Sequence, residues 1–159
     1  MSTNLADTLA CIFYDFDGVM TDNRVLVSED GKEFVFANRG DGLGVSHIKK
    51  LGIPQVIVST EQNKVVEQRA KKLKIEVIHG VDDKGEVISN YCSAKGYALS
   101  KTAFIGNDLN DLPAFSIVGF KGAPKDAAQE VLAIADWISE KNGGDGVIRD
   151  FYRFISSNK

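Results

Sequence analysis

The 159 residues carry 19 Lys and Arg against 22 Asp and Glu, a formal net charge of −3, with 43% hydrophobic and 26% charged residues. This is ordinary globular composition and enough chain for one domain, 1–159, with its own core. The acidic balance argues against nucleic acid as partner, no apolar run nears the roughly 20 residues that span a bilayer, and Met1–Asp7 lacks a secretory pattern, so the cytoplasm is the expected compartment.

Ala10–Tyr14 is a short apolar run ending at Asp15, and reads as a buried strand. Between Arg24 and Ala37, two β-prone runs, Val25–Val27 and Phe34–Phe36, flank a Glu29-Asp30-Gly31 turn and predict a hairpin that is apolar on both faces. Gly42–Leu51 reads as a helix closed by Gly52, Gln55–Ser59 as a second buried strand, and Glu61–Lys74 as a helix with Val66, Ala70 and Leu73 on one face. Glu76–Ile78 is a short strand, Lys84–Lys95 a helix and Thr102–Ile105 a strand. The alternation continues through Ile117–Phe120, Lys125–Leu132, Ala135–Ile138 and Val147–Ser156. Cys11 and Cys92 are too few for a disulfide framework or a metal site of their own and read as small buried or half-buried residues. His47 and His79 read as structural or exposed, and Trp137 as packing.

Strands alternating with helices predict an α/β fold: a three-layer, Rossmann-like parallel sheet with a small β-hairpin insertion at about 24–37 and no cap domain. Such sheets bind ligands at the carboxyl ends of their strands. Asp15, Ser59 and Asp108 all fall at or just past such ends.

Asp15-Phe16-Asp17-Gly18 offers a nucleophilic carboxylate, a second carboxylate two residues on for general acid/base work, and a glycine for the tight turn between. Taken alone it also fits a solvated acidic turn, though it lacks the ligand spacing of an EF-hand. Gly106-Asn107-Asp108-Leu109-Asn110-Asp111 adds acids after another apolar strand. Asp15, Asp108 and Asp111 together suit a hard, oxygen-seeking ion such as Mg²⁺, which would keep the acids from repelling a phosphate; a helix start enriched in Asp is the alternative. Ser59, with the amides of Thr60 and Glu61, can donate to phosphate oxygens, and Lys84 can supply a point charge. Either residue alone also fits a cap or a surface group.

The order Asp15-x-Asp17, Ser59, Lys84, Asp108-x-x-Asp111 along nearly the whole chain resembles the haloacid dehalogenase superfamily of phosphotransferases. The resemblance implies Asp15 as nucleophile and Asp17 as general acid/base. It implies Mg²⁺ held by Asp15, the Asp17 carbonyl and Asp108, with Asp111 behind them. Asp17, where the ATPase branch has Thr, implies a phosphatase. The octapeptide Asp15–Asp22, the hairpin, Asp41–Gly44 and Gly143–Arg149 resemble the capless branch that contains the 3-deoxy-octulosonate 8-phosphate and 2-keto-3-deoxynonulosonate 9-phosphate phosphatases and the C-terminal domain of animal CMP-sialic acid synthetases. The implied substrate is a small phosphorylated sugar acid, in polysaccharide or sialic-acid-like sugar synthesis. The implied assembly is a homotetramer whose hairpins associate and whose subunits close one another's sites. Two departures stand out: Thr60-Glu61 where octulosonate phosphatases carry Gly-Arg, and Asp145 where they carry Arg. Arg69 and Lys72, counted as two and three turns beyond Glu61 on one helix, are candidates to steady Glu61 or receive a substrate carboxylate. A non-catalytic oligomerisation module is the competing reading. A phospho-acceptor receiver fits less well, because receivers place the acceptor after a middle strand.

Overall fold

The computed structural model describes residues 4–157. In chain order the elements are α1 (Leu5–Thr8), β1 (Cys11–Tyr14), β2 (Leu26–Val27), β3 (Glu33–Phe34), α2 (Arg39–Lys50), β4 (Gln55–Val58), α3 (Lys64–Leu73), β5 (Glu76–Ile78), α4 (Lys84–Lys95), β6 (Thr102–Ile105), α5 (Leu112–Phe115), β7 (Phe120–Ala123), α6 (Gln129–Leu132), β8 (Trp137–Ile138) and α7 (Val147–Ser156).

Six strands form a parallel sheet in the order β5-β4-β1-β6-β7-β8. β1, β4 and β6 occupy its middle and are buried at every position, which is why their sequences run apolar without alternation. Side chains still alternate between faces with the period of two that a strand imposes. Ile12 and Tyr14 point to the layer that holds Val45 and Ile48 of α2, Val66 and Ala70 of α3, and Ile148, Phe151 and Ile155 of α7. Cys11 and Phe13 point to the opposite layer, with Ile88 and Cys92 of α4, Phe115 of α5 and Val131 of α6. Both cysteines are buried free thiols. Trp137 packs on Phe151 and Phe154 of α7, the latter ring 5.5 Å away.

The chain leaves β1 toward β4 on one side and reaches β6 on the other, so strand order reverses at β1 and a crevice opens at its carboxyl end. That crevice receives the residues following β1, β4 and β6.

Several boundaries differ from the sequence expectation for local reasons. α2 starts at Arg39, ahead of Gly42, because the Asn38 side chain caps it by accepting from the Gly40 amide at 2.7 Å. α3 starts at Lys64 instead of Glu61, because Asn63 caps it by accepting from the Val65 amide at 3.1 Å. The strand expected at 117–120 lies at Phe120–Ala123. Gly119 is pressed against the Ser100 backbone, where a Cβ would meet the carbonyl oxygen at 2.0 Å, and the chain joins β6 only after that crossing. The helix expected over 125–132 is confined to Gln129–Leu132. α1 and α5 were not legible as elements in the sequence.

β2 and β3 pair antiparallel, Leu26 opposite Phe34, and a bridge between Thr21 and Ala37 closes the base of this hairpin. Its apolar residues are not in the core: Val25, Leu26, Val27 and Phe34 are exposed, and Phe36 is 75% exposed. Among the described residues no helix is long and apolar enough to cross a membrane.

Candidate active site

Asp15 continues β1 by one residue: its amide donates to Ile105 O at 2.9 Å, tying it to the end of β6. The chain then turns sharply, with Met20 N donating to Phe16 O at 2.9 Å and Gly18 at a φ of +82° that favours glycine. The turn leaves Asp17 half-buried at the mouth of the crevice, beside the almost fully buried Asp15.

Lys84 is the first residue of α4, which Asp83 caps by accepting from Glu86 N at 3.1 Å. Its side chain is wholly buried, with Nζ 2.7 Å from Asp15 Oδ1 and 2.6 Å from Asp111 Oδ1. Burial pulls the ammonium down, but the two carboxylates outweigh it and the net shift is upward. Asp111 is also fully buried, and its Oδ2 accepts from the amides of Asn107 at 2.8 Å and Asp108 at 3.2 Å. Both its oxygens are thus committed to holding Lys84 and the loop after β6. Gly106 makes room for this, since a Cβ there would lie 2.6 Å from Asp111 Oδ2.

One ammonium serves two buried carboxylates, so the pair is short of positive charge. Burial, then the Asp111 charge, push the Asp15 carboxyl up to about 8 against the opposing pull of Lys84. Burial and the nearby Glu61 also raise Asp17, with Lys84 again opposing.

Ser59 follows β4, buried, its amide donating to Ile78 O at 2.9 Å. Its Oγ accepts from Glu61 N at 3.2 Å, which leaves the hydroxyl proton free to donate elsewhere. Thr60 and Glu61 line a recess of about 170 Å³ together with Asp15, Asp17, Asn107 and Asp108. Glu61 also borders two adjoining recesses. One is shared with Asp17, Arg24 and Glu33; the other, of about 660 Å³, lies between the hairpin and the start of α3. Asn63 ties these together by donating to Glu61 Oε2 at 3.2 Å and Glu33 Oε2 at 3.1 Å.

The structure therefore brings Asp15, Asp17, Ser59, Thr60, Glu61, Lys84, Asp108 and Asp111 to one end of the sheet. It does not bring Arg69 and Lys72 there. They line a separate recess with Arg39 and Lys74, and Arg69 donates to Asn38 O at 3.0 Å. The reason is the later start of α3, which takes Glu61 off the helix and removes the register on which their alignment depended.

Nor are Asp15, Asp108 and Asp111 gathered into one carboxylate cluster: among the described residues no three acidic, histidine or cysteine side chains are grouped to hold a metal ion. Asp111 is enclosed by its own partners, and Asp108 Oδ1 accepts from Leu109 N at 2.8 Å at the start of a short turn. The group that meets Asp15 is Asn107, which the sequence reading passed over. Its side chain faces both Asp15 Oδ2 and the Asp17 carbonyl oxygen. The donors lining the recess are then the Asp15 carboxylate, the Asp17 backbone carbonyl, the Asn107 amide and the Asp108 carboxylate. This all-oxygen set suits a hard cation, and one ammonium for two buried carboxylates leaves the site short of positive charge.

Residues 47–150 match the family model described as haloacid dehalogenase-like hydrolase. The chain belongs to that family. It is 28% identical over 146 residues to the 3-deoxy-D-manno-octulosonate 8-phosphate phosphatase KdsC of Salmonella typhi, covering 91% of this chain and 78% of KdsC. It is 27% identical over 154 residues to the N-acylneuraminate cytidylyltransferase of Oncorhynchus mykiss, where the match covers 94% of this chain but only 35% of that protein. The chain thus spans about a third of the cytidylyltransferase's length. Among solved structures, it superposes with a TM-score of 0.92 and 31% identity on the 3-deoxy-D-manno-octulosonate 8-phosphate phosphatase of Moraxella catarrhalis, which was solved with magnesium, phosphate and KDO. That match covers 98% of this chain and 90% of the Moraxella protein.

Proposed function

We propose that the protein is a Mg²⁺-dependent phosphomonoester hydrolase that acts on a phosphorylated keto-deoxy sugar acid through a phospho-aspartate on Asp15. The observation that carries this reading is the buried Lys84 ammonium between Asp15 and Asp111, at the sheet's switch point. A solvated acidic turn has no need of a fully buried lysine, because burying such a triad costs several kcal/mol of desolvation per ion. The family membership and the similarity to two octulosonate phosphatases support the same chemistry.

In this reading a carboxylate oxygen of Asp15 attacks phosphorus while Lys84 holds the side chain toward the recess. The bond to the leaving oxygen breaks, and Asp17, whose raised affinity for a proton suits the task, protonates that oxygen. Asp17 then takes a proton from a water that attacks the acyl phosphate, which releases inorganic phosphate and restores Asp15. The Ser59 hydroxyl and the Thr60 amide donate to the phosphoryl oxygens. Asp15, the Asp17 carbonyl and the side chains of the 107–108 segment would hold Mg²⁺, whose charge offsets repulsion between the acids and the phosphate dianion.

The body of the sugar acid extends past Glu61 into the recesses beneath the hairpin, where Lys64 lines the larger one and Arg24, paired with Asp22, borders the smaller. Glu61 stands at the junction of these recesses and is our candidate for discriminating nonulosonate from octulosonate substrates. The exposed apolar hairpin supports a homotetramer in which neighbouring subunits close the site, and the cytoplasm is the proposed compartment.

The test is phosphate release with Mg²⁺ across octulosonate 8-phosphate, nonulosonate 9-phosphates and hexose phosphates. Strong preference for one keto-acid phosphate, abolished by EDTA, is the expected result. Absence of turnover on all of them would discard the enzyme reading in favour of a non-catalytic oligomerisation domain, for which the match to part of a cytidylyltransferase leaves room.

A further inference from the structure

Asn23 holds a backbone conformation that its own side chain does not explain. Among the described residues only Asn23, at a φ of +66°, and Lys74, at +57°, are non-glycine residues with positive φ. Lys74 ends α3, where a left-handed residue is a common stop. Asn23 ends no helix. Asparagine tolerates this region chiefly because its short side chain can hydrogen-bond to the backbone nearby. Here the neighbours make those bonds instead. Thr21 Oγ1 accepts from the Asn23 amide at 3.2 Å, and Asp22 Oδ1 accepts from the Arg24 amide at 3.1 Å. Gly144 backs the turn so closely that a Cβ there would lie 2.6 Å from Asp22 N. The turn is thus fixed from outside, and no described residue takes up the Asn23 side-chain amide.

The recess of about 170 Å³ that holds Asp15, Asn107 and Asp108 adjoins one of about 150 Å³ bordered by the hairpin, and three residues line both: Asp17, Asn23 and Glu61. Those three form the neck between them. A phosphoryl group seated at Asp15 puts its ester oxygen beside Asp17, and the carbon chain then crosses the neck between Asn23 and Glu61. A carboxylate accepts but does not donate, and Glu61 Oε2 already accepts from Asn63 at 3.2 Å. Asn23 is the neutral side chain of the three and offers both an NH₂ and a carbonyl oxygen. A hydroxyl standing between the two can donate to Glu61 and accept from Asn23 Nδ2. A sugar acid phosphorylated at its terminal carbon carries such a hydroxyl on the next carbon.

We infer that Asn23 is a specificity residue, which binds the hydroxyl on the carbon adjoining the phosphate ester and sets a preference for substrates that carry it. This role rests on the reading of Asp15 as the phosphoryl acceptor. It gives a use to a polar side chain at a position where glycine would meet no backbone strain.

The test pairs octulosonate 8-phosphate with its 7-deoxy analogue, and nonulosonate 9-phosphate with its 8-deoxy analogue, so that each pair differs by that one hydroxyl. The ratio of kcat/KM within each pair is measured with Mg²⁺ for wild type, Asn23→Gly and Asn23→Asp. In the pair it prefers, wild type should favour the hydroxylated member by about tenfold or more, the scale of losing one or two hydrogen bonds. Asn23→Gly should melt close to wild type, because its φ suits glycine, and should lower the ratio at least about threefold. Asn23→Asp keeps a residue that tolerates the turn but exchanges the donor for an acceptor, and should lower the ratio at least as far. A purely structural role would slow both members alike and preserve the ratio, and that result would overturn the inference. So would a wild-type ratio near one, or a steep drop in the melting temperature of Asn23→Gly, which would make the side chain a prop of the turn. Failure of the parent reading looks different, for wild type would then release phosphate from none of the four compounds.

Discussion

Replacing Lys84 with Met keeps most of the side-chain volume but removes the ammonium that lies 2.7 Å from Asp15 and 2.6 Å from Asp111. Lys84 is fully buried and Asp15 and Asp111 nearly so or fully, so neither acid can turn to water for compensation. Breaking a buried ion pair by removing one partner costs about 3–5 kcal/mol, because a charge is left stranded. Here two acids are stranded facing each other, and the expected loss lies at the upper end of that range. Asp111→Asn alone removes one charge while keeping an oxygen for the Asn107 and Asp108 amides. Combined with Lys84→Met, it removes part of the stranded charge, so the double variant should be more stable than the two single losses predict. The coupling should be about 1–3 kcal/mol, the size seen for groups sharing one network. Urea unfolding of the four proteins in EDTA measures it. A single-variant loss below about 1 kcal/mol, or additivity within about 0.5 kcal/mol, would refute the claim that this triad is a coupled unit.

Asp15→Asn should abolish phosphate release while leaving the circular dichroism spectrum unchanged; wild-type rates would eliminate Asp15 as nucleophile. Asp41 links α2 to α7 by accepting from Ile148 N at 3.0 Å, and burial raises its carboxyl to about 6 against the pull of that bond. A carboxyl whose folded pKa exceeds its unfolded value contributes stability below the unfolded pKa and loses it as pH rises through the folded one. Wild type should therefore lose stability relative to Asp41→Asn between about pH 4 and 7, by roughly 2–3 kcal/mol for a shift of about two units. Urea midpoints compared across that range test it, and a constant difference would count against the assignment. Phe36→Asp, at an exposed hairpin position, should change the stability of the lone subunit by less than about 0.5 kcal/mol yet dissociate the proposed tetramer in light scattering. A tetramer unaffected by that change and by Leu26→Asp would place the interface elsewhere.

How much of this was legible in the sequence depended on how local the cause was. Cys11–Tyr14, Gln55–Val58 and Thr102–Ile105 announce themselves because a strand buried on both faces must be apolar at every position. Their order and alternation with helices carry the sheet, and the polar residues just beyond them carry the location of the chemistry. The pairing of Asp15 with Lys84 was expected in kind, since charges of opposite sign at one crevice have few other uses.

Tertiary structure decided what lies between neighbours in a loop. Asn107 and Asp108 are adjacent in sequence, and nothing in their order tells which one turns toward Asp15. Asp111, reaching back to both their amides, sets the path of that loop, and Gly18 leaves the space that the Asn107 side chain fills. The hairpin shows the same division. Its apolar pattern is plain in the sequence, but whether Leu26 and Phe36 are covered depends on what the rest of the chain places over them, and among the described residues nothing does. Arg69 and Lys72 went elsewhere because one cap, Asn63, moved the start of a helix by a few residues and with it the direction of every side chain that follows. Sequence alone thus specified the layers and the residue types at the crevice. The orientation of each side chain within it came from long-range contacts, which alone restrict the rotations that local propensity leaves open.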